Sequence, residues 1–141
     1  MIVVDANLLI YAYDTAALHN GKARAWIEEA FSSVEPVGIP WQSVAAFLRV
    51  MTNLKLHGRQ YTADEAADII EDWVARPNVR ILSAADDHWR QFRRMIVDGR
   101  ATGPLVSNAE IAALTIEYGG VLHTANRDFA RFPGLRWKNP L

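Results

Sequence analysis

Apolar positions along the chain follow two alternating rhythms. Short apolar runs at Ile2–Val4, Val37–Pro40, Val79–Leu82 and Val121–Thr124 read as strands buried on both faces. Between them, apolar residues return every three or four positions, as one face of a helix does. Ala23, Trp26, Ile27, Ala30 and Phe31 share such a face over Leu18–Phe31, with Lys22, Arg24, Glu28 and Glu29 elsewhere. Val44, Phe47, Leu48, Met51 and Leu54 mark a second helix. Thr62-Ala-Asp-Glu65 is a capping box, in which Thr and Glu each accept a backbone N–H that the helix start leaves open. Its helix turns Ala66, Ile69, Ile70 and Trp73 inward. A helix over Asp86–Val97 turns Trp89, Phe92 and Ile96 inward and closes at Gly99. Ser107-Asn-Ala-Glu110 reads as another capping box, opening a helix that stops at Gly119-Gly120. Leu135–Trp137 is a candidate last strand.

Strands separated by helices must pair in parallel through right-handed crossovers. The expected fold is therefore α/β, a three-layer α/β/α sandwich with a short, mostly parallel central sheet, as a single domain over residues 1–141. In such sheets ligand chemistry gathers beyond the carboxyl ends of the strands. That rule makes neighbours of Asp5, Trp41-Gln42-Ser43, Ser83 and Thr124–Asp128.

Composition narrows the chemistry. The chain has no Cys, which excludes disulfides and thiolate metal sites and fits a reducing cytoplasm. Fifteen basic residues against sixteen acidic ones leave a net charge of −1, so nucleic-acid binding must use a local patch. The apolar start MIVVDANLLIYAYD lacks a basic leader and carries Asp5, so it reads as a core strand and not a signal peptide or membrane span.

Asp5 ends an apolar strand. A carboxylate there must be solvated, paired or bound to a cation, because burying it alone is too costly; it would equally serve as N-cap of a helix over Asn7–Ala12. Asp128 follows Asn126 by two residues and is either part of a polar site or a turn residue closing on Arg127 or Arg131. Asn108 falls in the first turn of the Ser107 helix. The chain has no G-x-G-x-x-G, no G-x-x-x-x-G-K-[ST] and no G-x-S-x-G. His19, His57, His88 and His123 include no i,i+4 pair, which argues against a helical zinc site. Asp5-Ala-Asn7 is a weak version of the D-x-D used by some phosphotransferases, with an amide in the third place.

An ordered set of segments then resembles a known family. Val3–Tyr11 (VVDANLLIY), Ala46–Val50 (AFLRV), Asn108–Gly120 (NAEIAALTIEYGG) and Thr124–Trp137 (TANRDFARFPGLRW) are together similar to PIN-domain ribonucleases, above all the VapC toxins of bacterial toxin–antitoxin pairs. The resemblance implies a Mg²⁺- or Mn²⁺-dependent endoribonuclease cutting structured RNA such as tRNA or rRNA, silenced by a VapB-type antitoxin, commonly homodimeric and cytoplasmic. It assigns metal-site positions to Asp5, Asn108, Asn126 and Asp128, with Asp5 and Asp128 as the retained catalytic acids. Three family acids are replaced: the second falls on Ala46, the third on Asn108 and the fourth on Asn126.

Hard divalent ions prefer carboxylate and water oxygens. An Asn carbonyl can ligate but brings no charge, so the resemblance implies weaker metal binding and activity. A PIN-like module that binds RNA or antitoxin without turnover is the alternative. For RNA, the last fifteen residues hold Arg127, Arg131, Arg136 and Lys138 against Asp128, with Trp137 available for stacking. Arg90, Arg93 and Arg94 carry less weight, because Asp86 and Asp87 lie at helical pairing distance. Five Trp and five Phe exceed the needs of a small core, which predicts surface aromatics and a groove between the helices at Leu18–Phe31 and Tyr61–Val74 for an amphipathic antitoxin segment.

Overall fold

A computed structural model of the chain describes residues 1–53, 55 and 60–141. Among the described residues the order is β1 (Ile2–Val4), α1 (Ala6–Tyr13), α2 (Asn20–Phe31), β2 (Val37–Pro40), α3 (Trp41–Met51), α4 (Ala63–Val74), β3 (Val79–Leu82), α5 (His88–Asp98), α6 (Leu105–Glu117), β4 (Val121–His123), a 3-10 turn (Arg127–Arg131) and β5 (Trp137–Lys138). The strands form one sheet in the order β3-β2-β1-β4-β5, and every pairing is parallel. The expected parallel α/β sandwich is the fold observed. Its short strands read as apolar runs because the inner ones are covered on both faces.

One face of the sheet carries α1 to α4 over a core of Leu8, Leu9, Phe31, Ile39, Phe47, Met51 and Trp73. The other carries α5 and α6 over Val3, Leu82, Met95, Leu122, Phe129 and Phe132. From β1 the chain winds outward through β2 to β3, and β4 then returns to the opposite side of β1. The order thus reverses between β1 and β4, which makes the carboxyl ends of those two strands the switch point at which ligands gather in such sheets.

Several helix boundaries differ from the periodicity. The Thr62 capping box is present, with Thr62 Oγ1 accepting the Glu65 N–H and Glu65 Oε1 accepting the Thr62 N–H, both at 3.1 Å. The Ser107 box is not: α6 begins at Leu105 behind Pro104, and Ser107 caps nothing. Proline's fixed φ is already helical, so Gly103-Pro104 starts the helix before Ser107 is reached. Trp89 is 64% exposed and does not point inward; Met95 takes the core position on α5, with Phe92 and Ile96 half-buried. The last strand is Trp137–Lys138, shifted from the expected Leu135–Trp137. Leu54 and His57 lie outside the described residues.

Candidate active site at the carboxyl rim

Asp5 stands where β1 becomes α1. Its extended backbone and short side chain suit an N-cap, and Oδ1 accepts the Ala6 N–H at 2.8 Å. Its N–H donates to the His123 carbonyl, carrying the β1–β4 ladder one residue past the strands. The side chain is buried, and Oδ2 accepts the Thr124 hydroxyl at 2.7 Å. The same side chain thus caps α1 and reaches Thr124 beyond the end of β4. Both carboxylate partners are neutral, and no cationic side chain pairs with Asp5 among the described residues. Burial raises its pKa above the usual carboxylate value, and the two hydrogen bonds only partly oppose that.

Thr124 is the hub of this rim. It is fully buried, and its Oγ1 donates to Asp5 while accepting from the Asn126 N–H at 2.9 Å and from Asn7 Nδ2 at 3.3 Å. Asn7 Oδ1 in turn accepts the Ala125 N–H at 3.4 Å. Residues over a hundred positions apart are thus locked together across the switch point. Ser43 adds a third element: its buried hydroxyl donates to the Val4 carbonyl at 2.9 Å and ties α3 to the end of β1. Sequence reading placed Thr124 near the site but missed that it holds the site together. The available signal was a Thr at a strand end, two residues before a polar cap.

Beyond Thr124 the chain turns back. Asn126 Oδ1 caps the 3-10 turn by accepting the Asp128 N–H at 2.9 Å. Asp128 is exposed and closes on neither Arg127 nor Arg131; among the described residues it forms no ion pair. Asn108 is half-buried on the first turn of α6, whose body packs on the 3-10 turn and on β4. Ala46 is half-buried on α3, a helix with no acidic residue.

The four basic candidates separate. Arg127 and Arg131 sit exposed on the turn beside Asp128. Arg136 instead donates to the Gly119 carbonyl at 2.8 Å, at the amino end of β4, away from that rim. Lys138 lies in β5 beside His123. The His123 ring stacks near Trp26, centroids 5.3 Å apart, and its Nδ1 finds no partner among the described residues. Burial first, then Lys138 and the amino terminus, press its pKa down to about 4, so the ring is neutral at physiological pH.

The donor set sets limits on a metal. No group of three or more His, Asp or Glu side chains suited to a metal occurs among the described residues. A pair of ions caged by carboxylates therefore does not fit. One Mg²⁺ or Mn²⁺ does, since such ions are often held by one or two carboxylates with water filling the remaining positions. The observation that carries this fit is Asp5, a buried carboxylate with only neutral partners, whose charged form a divalent cation would balance.

A family profile described as PIN domain matches residues 2–135. Ribonuclease VapC37 of Mycobacterium tuberculosis is 32% identical over 140 residues, covering 99% of this chain and 97% of its own. Ribonuclease VapC43 of the same species is also 32% identical, over 141 residues, covering 100% and 96%. Among solved structures, VapBC2 from Rickettsia felis bound to a promoter DNA fragment superposes with a TM-score of 0.73 at 17% identity, over 99% of this chain and 98% of that one. VapC20 of M. tuberculosis, a toxin that cleaves the sarcin-ricin loop, gives 0.67 at 19% identity, over 96% and 99%. The two superpositions bear on fold alone, whereas the profile and the curated relatives run the length of the chain. On that evidence the chain belongs to the PIN domain family.

Proposed function

We propose that this protein is the toxin of a VapBC-type toxin–antitoxin pair, an endoribonuclease that hydrolyses RNA phosphodiester bonds with one divalent metal ion. One observation carries the reading: a desolvated carboxylate without a counter-charge, held rigidly by Thr124 and the Ala6 N–H at the topological switch point. The curated relatives named as ribonucleases support it.

Asp5, Asp128 and the carbonyls of Asn108 and Asn126 would hold Mg²⁺ or Mn²⁺. When bound, such an ion lowers the pKa of a water and stabilises charge on the phosphate. Asp5 is the fixed ligand, because its rotamer is set by two hydrogen bonds. Asp128, exposed and without an ion-pair partner, is free to orient or deprotonate the attacking water. Asn126 has one lone pair engaged with the Asp128 N–H, which leaves its second for the ion. Arg127 and Arg131 supply phosphate contacts beside Asp128.

Asp5→Asn is the test, since the amide keeps the cap acceptor and nearly the same volume. Loss of Mn²⁺-dependent cleavage of structured RNA with a native circular-dichroism spectrum supports the assignment; undiminished cleavage ends it. The amides at 108 and 126 and the alanine at 46 favour one second reading, a module that binds without turnover. Absence of both Mn²⁺ binding at millimolar concentration and RNA cleavage by the parent would decide for that module.

The antitoxin site of this reading is the groove between α2 and α4. It holds a cavity of ≈ 130 Å³ floored by Phe31 and Trp73 and edged by Arg24, Glu28 and Arg76, and a second of ≈ 350 Å³ reaching Asp68 and Ile69. Its aromatic residues form the floor; the exposed tryptophans, Trp41 and Trp89, lie on other helices. An amphipathic segment fits such a groove with its apolar face down.

A further inference from the structure

The helical pairing expected for α5 is only partly made. Arg90 pairs with Asp87, but Arg93 and Arg94 meet no carboxylate among the described residues. The same holds for Arg100, Arg127 and Arg131. These five arginines come from two stretches of sequence that the fold joins. Phe132, just past the 3-10 turn, packs so closely on Gly99 that an added Cβ there would lie 2.6 Å from its ring. Arg131 Nη1 donates to the Arg100 carbonyl at 3.4 Å, and Arg94 Nη2 lies 3.6 Å from where a Cβ on Gly134 would be. The end of α5 is thus continuous with the turn that carries Asp128.

None of these five guanidinium groups is in an ion pair among the described residues, and the same two segments carry the carboxylates Asp98 and Asp128. Clustering like charges without counter-ions costs free energy unless an anion is bound. Along α5 the side chains border a concavity of ≈ 530 Å³ lined by Arg90, Gln91, Arg93, Arg94, Val97 and Asp98. Four residues before Arg93, on the same helical face, stands the exposed ring of Trp89. Guanidinium forks match phosphate oxygens in pairs, and an open indole face stacks on any base.

We infer that Arg127, Arg131, Arg100, Arg94 and Arg93 form a track for the RNA backbone leading away from the Asp5–Asp128 rim, and that Trp89 stacks on a base at its far end. The inference rests on the ribonuclease reading and adds to it the path of the substrate. The occupant is a single-stranded stretch of RNA, because stacking on Trp89 needs an unpaired base.

The test measures binding of a labelled single-stranded oligoribonucleotide in chelator, where no metal-dependent cleavage competes, across a series of salt concentrations. Arg93→Glu/Arg94→Glu should weaken binding at least about tenfold and flatten the slope of log affinity against log salt by about 1.4, two phosphate contacts being lost. Trp89→Ala should weaken binding about fivefold and leave the slope unchanged, since stacking releases no counter-ions. Lys22→Glu/Arg49→Glu, matched in charge but on α2 and α3, should change affinity less than about twofold. If the parent binds and the α5 variants behave as that control does, the track is wrong and the ribonuclease reading stands. If the parent binds no RNA at any salt, the reading fails and the track with it. Displacement of the RNA by poly-glutamate as readily as by unlabelled RNA would assign the face to an acidic protein partner and overturn the inference.

Discussion

Asp5 and Asp128 occupy the same rim in opposite surroundings. Asp5 is buried at the junction of a central strand and a helix, with both oxygens engaged by neutral donors. Asp128 is exposed on a 3-10 turn, and only its backbone N–H is held. The difference teaches where a cation matters most. Water already screens Asp128, so a nearby ion adds little to its stability. Asp5 has exchanged water for two hydrogen bonds, and the uncompensated part of its charge is what a metal would balance. One residue is built in as an anchor; the other is left free to move.

The largest expected effect sets these two against each other. Asp5→Asn should lower Mn²⁺-dependent RNA cleavage by at least about a hundredfold, roughly 2.7 kcal/mol, and Asp128→Asn by nearer tenfold. Single-turnover cleavage rates measure both, and equal losses would erase the distinction between anchor and free acid.

Next comes the hub. Thr124→Val keeps the shape but removes the Asp5 partner and leaves the Asn126 N–H and Asn7 Nδ2 without an acceptor. It should cost about 2 kcal/mol, read as a lower Tm. An unchanged Tm would mean that Asp5 needs no support from the Thr124 hydroxyl.

A smaller effect opposes two neighbouring titrations. Asp5 has its pKa raised in the fold, so the native state binds that proton more tightly than the unfolded chain does. Its contribution is full below the ordinary carboxylate pKa and is lost as pH rises through the raised value. His123 works the other way: with a folded value of about 4 against 6.5 unfolded, it adds stability as pH rises from 4 to 6.5. In chelator, His123→Phe should therefore remove an acid-side loss on the order of 1–2 kcal/mol, and Asp5→Asn should steepen the remaining rise. Urea melts across pH 4 to 7 check the signs; parallel profiles for parent and both variants would contradict them.

The smallest effect concerns the amides. Asn108→Asp/Asn126→Asp should be about 1 kcal/mol less stable than the parent in chelator, because added carboxylates repel Asp5 and Asp128. Mn²⁺ should reverse that order and raise cleavage. Equal Mn²⁺ shifts in Tm for both proteins, with cleavage unchanged, would remove Asn108 and Asn126 from the metal-facing set.

Much of this was legible in residue order. The alternation of apolar runs with helical periods gave the parallel sandwich, and the rule that chemistry gathers at strand carboxyl ends selected Asp5 and Thr124–Asp128. Errors arose where local signals competed. Ser107-x-x-Glu110 has the form of a capping box, yet Pro104 starts the helix earlier by fixing its own φ. Trp89 falls on a predicted inner face, yet Met95 fills that core position, and α5 packs along a slightly rotated stripe. Arg136 lies in the basic C-terminal stretch, yet the parallel β4–β5 pairing carries it to the opposite end of the sheet.

The sequence by itself determined which elements form, that they pair in parallel, and that Asp5 and Asp128 lie just past the ends of two strands. Those properties follow from periodicity and residue chemistry, which are local. Only the tertiary structure decided that Asp5 is buried among neutral donors while Asp128 is exposed, that Thr124 bonds across the switch point, and that arginines of α5 and the 3-10 turn share one surface. Burial and charge proximity depend on residues more than thirty positions apart in the chain, and no local pattern encodes which of them will meet.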